Sequence, residues 1–329
     1  MARPRVYVTR HLPGRALEFL AGRSELEVWD GEVPIPADQL RLQVANCEGL
    51  LALLTDRIDD QLLNAAPALR VVSNMATGFD NIDVVAATQR GVLVTRTPGV
   101  LSETTADFAF ALMLAAARRV VEADRYVRDG EWKTWGPELM LGRDVHGATI
   151  GIVGMGGIGE EVAKRATGFG MRILYTSRER KAEPERRYSM RFAAIDELLA
   201  ESDFVTLHAP LTEQTRHMID ERALSLMKST AVLVNTARGQ LVNQEALYKA
   251  LKEGWIAAAG LDVTDPEPVP AGDPLLTLGN LVIAPHIASA SVATRSRMAM
   301  MAAEQLVEAV GGKVPSNTVN PEAWADRAD

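Results

Sequence analysis

Three short stretches carry side chains of the kinds that move protons and bind carboxylates: Leu233-Val-Asn-Thr-Ala-Arg238-Gly239, Gly260-Leu-Asp262-Val-Thr-Asp-Pro-Glu267-Pro268 and Val282-Ile-Ala-Pro-His286-Ile-Ala-Ser289. A guanidinium can grip a carboxylate through two parallel hydrogen bonds and polarise a neighbouring carbonyl. An imidazolium can hand a proton to a carbonyl oxygen as it is reduced. A carboxylate beside the imidazole favours its charged, proton-donating form. Arg238, Glu267 and His286 therefore suit hydride transfer to a small 2-oxo acid. Each has a plainer reading by itself: a structural core histidine, an arginine capping a helix, a solvated glutamate. All three end predicted parallel strands, however, and ligands of open parallel sheets bind at those ends.

A hydride needs a source. The run Thr149-Ile-Gly-Ile-Val-Gly154-Met155-Gly156-Gly157-Ile158-Gly159 places G-x-G-x-x-G directly after an apolar strand and at the head of a helix. In that setting the first glycine permits a tight turn, the second admits a pyrophosphate to the backbone, and the third lets helix and strand pack closely. The helix's free N–H groups and positive dipole end then face the anion. At the tip of the next strand, where an acid usually holds the ribose hydroxyls of NAD, stand Ser177 and Arg178. An arginine matches a 2′-phosphate, so NADP(H) is expected to be preferred, with NAD(H) possible. In the alternative, Arg178 is a solvated charge and Glu179 holds the ribose.

The elements that must position these residues read as α/β throughout. Strands are expected at 6–9, 26–29, 49–54, 71–74 and 92–95, alternating with helices at 15–20, 36–44, 59–65 and 84–89. After Pro98-Gly99 a long, largely apolar helix is expected over Thr105–Arg128, with Ser102 as its N-cap. A second series follows: strands at 149–153, 172–175, 204–207, 231–235, 258–261 and 281–284, and helices at 158–169, 195–200, 221–226 and 244–253. A helix over 292–310, with Met298, Ala302 and Leu306 on one face, closes the chain. The fold class is α/β, with two doubly wound parallel-sheet domains joined by long helices. Residues 100–286 form the dinucleotide domain, and 1–99 with 287–329 form the other.

The chain has 329 residues, one cysteine and a net charge of −8. The acidic balance argues against a nucleic-acid or anionic-membrane surface. No apolar stretch is long enough for a transmembrane helix, and the N-terminus lacks the apolar core of a signal peptide. Cys47 reads as a small buried hydrophobe, and a single unpaired thiol suits the cytoplasm. The five histidines show no metal-ligand spacing, so no metal is expected. Trp132, Trp135, Met140 and Leu141 lie on a loop. They read either as a contact surface or as packing on their own domain.

The sequence resembles the D-isomer-specific 2-hydroxyacid dehydrogenases over nearly its whole length. The resemblance rests on Gly78-Phe-Asp-Asn-Ile-Asp83, the glycine loop, Val234-Asn-Thr-Ala-Arg-Gly239, Gly260–Pro268 and Pro285-His-Ile-Ala-Ser289. Within that family it is most similar to the glyoxylate/hydroxypyruvate reductases, through Leu50–Asp56, Asp129–Trp135, Tyr175–Arg178 and Gly260–Pro270. The resemblance implies a Rossmann cofactor domain and a flavodoxin-like substrate domain. It implies that Arg238 binds substrate, that the Glu267–His286 pair relays the proton, and that Asp262 sits by the nicotinamide. Backbone groups at Thr77 and Gly78 would help hold the substrate carboxylate, with Leu53 in the pocket. The expected cofactor lining is completed by His208, Pro210, Thr236, Ala237, Arg238, His286 and Ser289. The family implies a homodimer built around the 129–146 arm, with Trp135 near the partner's site. One departure is Gly157, where relatives often carry arginine, which bears on cofactor affinity. The alternatives are a D-3-phosphoglycerate dehydrogenase-like enzyme, whose members often have an acid at the Ser177 position, and a dinucleotide-sensing corepressor. Formate dehydrogenase relatives pair the histidine with glutamine, and Glu267 speaks against them.

Overall fold

The computed structural model describes residues 3–327. It contains two compact units: one ends at Leu101 and resumes at Ala290, and the other is Ser102–Ser289.

The first unit holds five parallel strands: β1 (Arg5–Val8), β2 (Glu25–Val28), β3 (Gly49–Ala52), β4 (Val71–Asn74) and β5 (Leu93–Thr95). Their order is β2-β1-β3-β4-β5, the flavodoxin-like arrangement. Between them run α1 (Ala16–Ala21), α2 (Ala37–Val44), α3 (Asp60–Ala65) and α4 (Val84–Gln89). Asp59 and Asp83 start α3 and α4 by accepting from the amides of Leu62 and Ala86 at 3.1 and 2.9 Å. Leu40, Leu62, Leu63 and Ala87 cover one sheet face, against Tyr7, Leu50, Val72 and Val94. The C-terminal helix Val292–Val310 covers the other, over β3, β4 and β5. Each large side chain so buried contributes about 1.5–3 kcal/mol.

The second unit begins with α5 (Ser102–Ala117) and α6 (Val120–Arg128). It continues with β6 (Thr149–Val153), α7 (Gly157–Gly168), β7 (Arg172–Thr176), α8 (Ala182–Tyr188), β8 (Arg191–Phe192), α9 (Ile195–Glu201) and β9 (Phe204–Leu207). It ends with α10 (Glu221–Leu226), β10 (Val232–Asn235), α11 (Gln244–Glu253), β11 (Ala258–Leu261) and β12 (Leu281–Ile283). The seven strands are parallel in the order β12-β11-β10-β9-β6-β7-β8, with the switch point between β6 and β9. Alternate strand residues face opposite layers. Ile150, Ile152, Val232 and Val234 pack with α5 and α7. Val153, Val205, Leu207 and Leu233 pack with α9, α10 and α11.

The expected single helix over Thr105–Arg128 is two. Arg119 takes a left-handed conformation (φ 54°) between α5 and α6, and its guanidinium forks onto Glu122 at 2.6 and 2.8 Å. The apolar stripe of α5 buries Thr105, Ala109, Leu112, Met113 and Ala116, whereas α6 buries nothing. No glycine or proline marks the break in the sequence. Ser102 lies within the first turn of α5 rather than capping it. α8 and the edge strand β8 fall in the 179–191 stretch, whose charges mask any apolar period.

Candidate active site

Register places the candidate residues along one sheet edge. Thr176, Val153, Leu207, Asn235, Leu261 and Ile283 are consecutive partners across β7, β6, β9, β10, β11 and β12. The chain leaves these strands as Ser177, Gly154, His208, Thr236, Asp262 and Ala284 respectively. They form a row spaced by about 4.8 Å per strand. Adjacency of Arg238, the 262–267 loop and His286 is thus a consequence of parallel pairing.

The glycine loop has room for an anion. Gly154 turns the chain at φ 99°, and a Cβ on Gly156 would meet nothing within 4 Å. A Cβ on Gly159 would lie 2.2 Å from Gly154 O, so only glycine lets α7 begin this close to the strand. Gly157 opens α7, and no side chain caps the helix. Its first-turn N–H groups therefore point to the crevice without internal partners. These features fit a pyrophosphate.

At the tip of β7, Ser177 Oγ donates to Glu179 O at 2.5 Å. Beyond it, buried Tyr175 anchors the turn: its hydroxyl donates to Glu185 at 2.6 Å and accepts from Lys181 N at 2.7 Å. Arg180, Lys181, Arg187 and Arg191 all pair with glutamates. Arg178 is exposed and has no ion pair or hydrogen bond among the described residues. His208 is neutral, its pKa pushed down to about 3 by burial, with Nε2 2.9 Å from Thr206 Oγ1. Pro210 is exposed, and its carbonyl accepts from Thr215 Oγ1 at 2.7 Å.

After β10, buried Asn235 shapes the turn that presents Arg238. Its Oδ1 accepts from Ala237 N at 3.0 Å, and its Nδ2 donates to Arg238 O at 2.8 Å. Arg238 Nη1 donates to Ala237 O at 2.8 Å. Gly239 touches the next loop: a Cβ there would lie 2.0 Å from Thr264 O. Asn235 stands inside one of the chemistry-bearing stretches, yet its residue type alone gave no sign of this role.

The central arrangement is a grip on His286. Asp262 is 1% exposed, and its two carboxylate oxygens accept from Ile287 N and Ala288 N at 2.7 and 2.8 Å. Its own carbonyl accepts from His286 N at 2.8 Å. Burial pushes the Asp262 carboxyl up, while the two amides and the nearby histidine pull it down. These bonds hold His286 at φ 55°, a conformation costing roughly 1–2 kcal/mol for a residue with a side chain. Glu267 Oε1 then meets His286 Nδ1 at 2.6 Å. Ser289 is half-buried and is the last residue of this unit.

The first unit contributes a different feature. Ala76 O accepts from Thr97 N at 2.8 Å and Thr77 O from Arg96 Nη1 at 3.5 Å. In a trans peptide the N–H points opposite to the carbonyl. The amides of Thr77 and Gly78 therefore face away from β5, and no partner for either is found among the described residues. Leu53 is half-buried in the neighbouring loop.

Cys47 is buried, its thiol donates to Gln43 O at 3.2 Å, and burial pushes its pKa up, so it is no activated nucleophile. No cluster of three metal-ligating side chains occurs among the described residues, and no described helix is long and apolar enough to cross a membrane. A cavity of about 470 Å³ lies at the opposite, N-terminal end of the sheet, between Val232, Ala258, Leu281 and the α6 side.

Known proteins resemble this chain throughout. Residues 110–288 match the D-isomer specific 2-hydroxyacid dehydrogenase NAD binding domain. A glyoxylate reductase of Korarchaeum cryptofilum is 58% identical over 97% of both chains. The crystal structure of a Thermus thermophilus protein superposes with TM-score 0.91 at 50% identity, covering 96% of this chain and 99% of that one. An NADPH-dependent glyoxylate/hydroxypyruvate reductase from Sinorhizobium meliloti, in complex with NADP and malonate, gives TM-score 0.84 at 30% identity over 98% of both.

The grip on His286 makes a prediction. Asn at 262 can accept only one of the two amides and sets its own NH₂ against the other. Asp262→Asn should lower kcat about 100-fold, the scale expected when a proton donor is misplaced, while the dinucleotide Kd moves only a few-fold. An unchanged kcat in steady-state assays would show that His286 is set by other contacts.

Proposed function

Because the chain belongs to the D-isomer-specific 2-hydroxyacid dehydrogenases, we propose that it reduces glyoxylate or hydroxypyruvate to the 2-hydroxy acid, of D configuration where the product is chiral. The observation that carries this is the Glu267–His286 pair, 2.6 Å apart, at the sheet edge that also holds the glycine loop. Residues 154–159 would hold the pyrophosphate of a reduced nicotinamide dinucleotide, which would supply the hydride. His286 Nε2 gives its proton to the substrate carbonyl oxygen. Glu267 stabilises the imidazolium and fixes the ring by accepting from Nδ1–H. Arg238 binds the substrate carboxylate and polarises the carbonyl. In the other unit we assign a substrate-carboxylate role to the amides of Thr77 and Gly78, beside Leu53. Thr236, Ala237, His208, Pro210, Asp262 and Ser289 complete the assigned cofactor lining.

We infer a preference for NADP(H) from Arg178. Arg180, Lys181, Arg187 and Arg191 of its segment are neutralised by glutamates, whereas the Arg178 guanidinium stands unpaired at the strand tip, where a 2′-phosphate would lie. A nicotinamide dinucleotide site follows from the family. We infer a homodimer from the segment Val120–Leu141. Val120, Val127, Trp132, Trp135 and Leu141 are each more than half exposed, a concentration of large apolar side chains that association would bury. The buried single thiol of Cys47 fits a reducing, cytoplasmic setting.

Three measurements test these assignments. His286→Ala should lower kcat with glyoxylate at least ~100-fold, within the range for a positioned acid, and leave NADPH binding intact. Retained turnover would remove His286 from the reaction. In the double variant Ser177→Asp, Arg178→Ala, the ratio of kcat/KM with NADPH to that with NADH should fall about 100-fold, the loss of a strong charge-assisted contact. A ratio that stays put would place the phosphate elsewhere. Sedimentation should give twice the 35.7 kDa chain mass, and Trp132→Lys with Leu141→Lys should give the single mass. A wild-type monomer would refute the dimer.

A further inference from the structure

The first unit contains a buried polar network that the assignments above do not use. β3 and β4 run side by side, and each ends in a loop: 53–58 after β3 and 75–82 after β4. Asn81 joins the two. Its Nδ2 donates to Leu53 O at 3.1 Å and to Asp56 O at 2.9 Å. Its Oδ1 accepts from Asn74 Nδ2 at 3.2 Å, and the same nitrogen of Asn74 donates to Gly78 O at 3.0 Å. Both side-chain amides thus tie loop acceptors, while the Thr77 and Gly78 N–H groups have no partner among the described residues.

The far side of the network is equally fixed. Asp56, 4% exposed, accepts from Leu53 N at 2.7 Å and from the hydroxyl of buried Thr9. Thr9 follows β1, the neighbour of β3 at this sheet's switch point. One chain of hydrogen bonds therefore runs from β1 through Asp56, the 53–56 carbonyls, Asn81 and Asn74 to Gly78. Asn74 is fully buried, yet its Oδ1 has no partner among the described residues. An unsatisfied buried acceptor costs roughly 1–3 kcal/mol. A residue present only for stability would avoid that cost, whereas one that must aim two N–H bonds at Gly78 O and Asn81 Oδ1 cannot.

The peptide groups involved are the ones that matter for an anion. Arg96 and Thr97 hold the carbonyls of Thr77 and Ala76 on one side. Asn74 holds Gly78 O, which fixes the following peptide. With both ends tied, the Thr77 and Gly78 amides present a prearranged pair of donors, and binding there need not order the loop first.

We propose that Asn74 and Asn81 are positioning residues for the substrate carboxylate, holding the 53–56 and 75–82 loops so that the Thr77 and Gly78 amides receive it. The inference rests on the assignment of that carboxylate to those amides. It names residues that touch neither substrate nor cofactor and act through Gly78, Leu53 and Asp56.

The test separates positioning from stability. Asn81→Ala removes the hub. Asn74→Asp keeps the shape but loses the donors to Gly78 O and Asn81. For each, KM and kcat with glyoxylate, Ki for oxamate (a non-reducible 2-oxo acid analogue), NADPH Kd by fluorescence and Tm are measured on the full-length protein. Both variants should raise KM and oxamate Ki at least tenfold, change kcat less than threefold, and leave NADPH Kd within twofold. A lowered Tm with KM and Ki within twofold of wild type overturns the proposal, because the network is then only structural. A parallel rise in NADPH Kd overturns it too. Should Asn81→Ala fail to fold, Asn74→Ser, which loses only the long amide reach, carries the same expectations. Wild-type protein that neither turns over glyoxylate nor binds oxamate would instead remove the carboxylate assignment, and this inference with it.

Discussion

In an all-parallel sheet every strand ends at the same edge, and that constraint organises everything the second unit does. The register that aligns Thr176, Val153, Leu207, Asn235, Leu261 and Ile283 is fixed by backbone hydrogen bonds and by two apolar layers that tolerate no slip. A one-residue shift in β11 would exchange the residues of its two packed faces and carry Asp262 away from the 287–288 amides. The chemistry is accurate because the core is. Six loops leave one edge, and each needs only a local device to aim its side chain: Asn235 for Arg238, Asp262 for His286, the glycines for the helix start.

Of these devices the buried Asp262 is the costliest and the most informative. A carboxylate 1% exposed loses most of its hydration and tends to take up a proton. Two backbone N–H donors offset that loss, and they belong to the residues just after His286. The arrangement converts electrostatic attraction into backbone geometry. It imposes a left-handed φ on a histidine that would otherwise relax away from it. Glu267 comes to the ring from the same strand's loop, so one loop both holds the backbone of His286 and orients its imidazole.

Much of this was legible in the residues. Strand cores such as Gly49–Ala52 and Thr149–Val153 are continuous apolar runs, as strands buried on both faces must be, and turn residues bracket them. Asp59, Asp83 and Asp220 cap three of the helices, each side chain accepting from the amide three residues on. The break at Arg119 was not legible, since neither α5 nor α6 disfavours helix locally and the split depends on α5 being buried and α6 not. Asp262 was singled out, but its partners are main-chain amides, which leave no signature in a side-chain sequence. The same holds for Asn74, Asn81 and Asn235. Asparagine is common in turns, and only coordinates distinguish one that caps its own turn from one that ties two loops together.

Charge shows how an acidic protein can still receive anions. The net −8 does not describe the environment of either candidate anion site. Arg180, Lys181, Arg187 and Arg191 are cancelled within a few ångströms by Glu160, Glu179, Glu185, Glu197 and Glu201, so they project little field. Arg178 and the N-terminal amides of α7 have no such neutralising partner, and both stand at the edge where a dinucleotide's phosphates would lie. In the first unit the proposed carboxylate site is built from peptide N–H groups. Peptide dipoles have fixed direction and short range. They recognise a carboxylate by geometry rather than by long-range attraction, so the rigidity of the loops that carry them sets how strongly they bind.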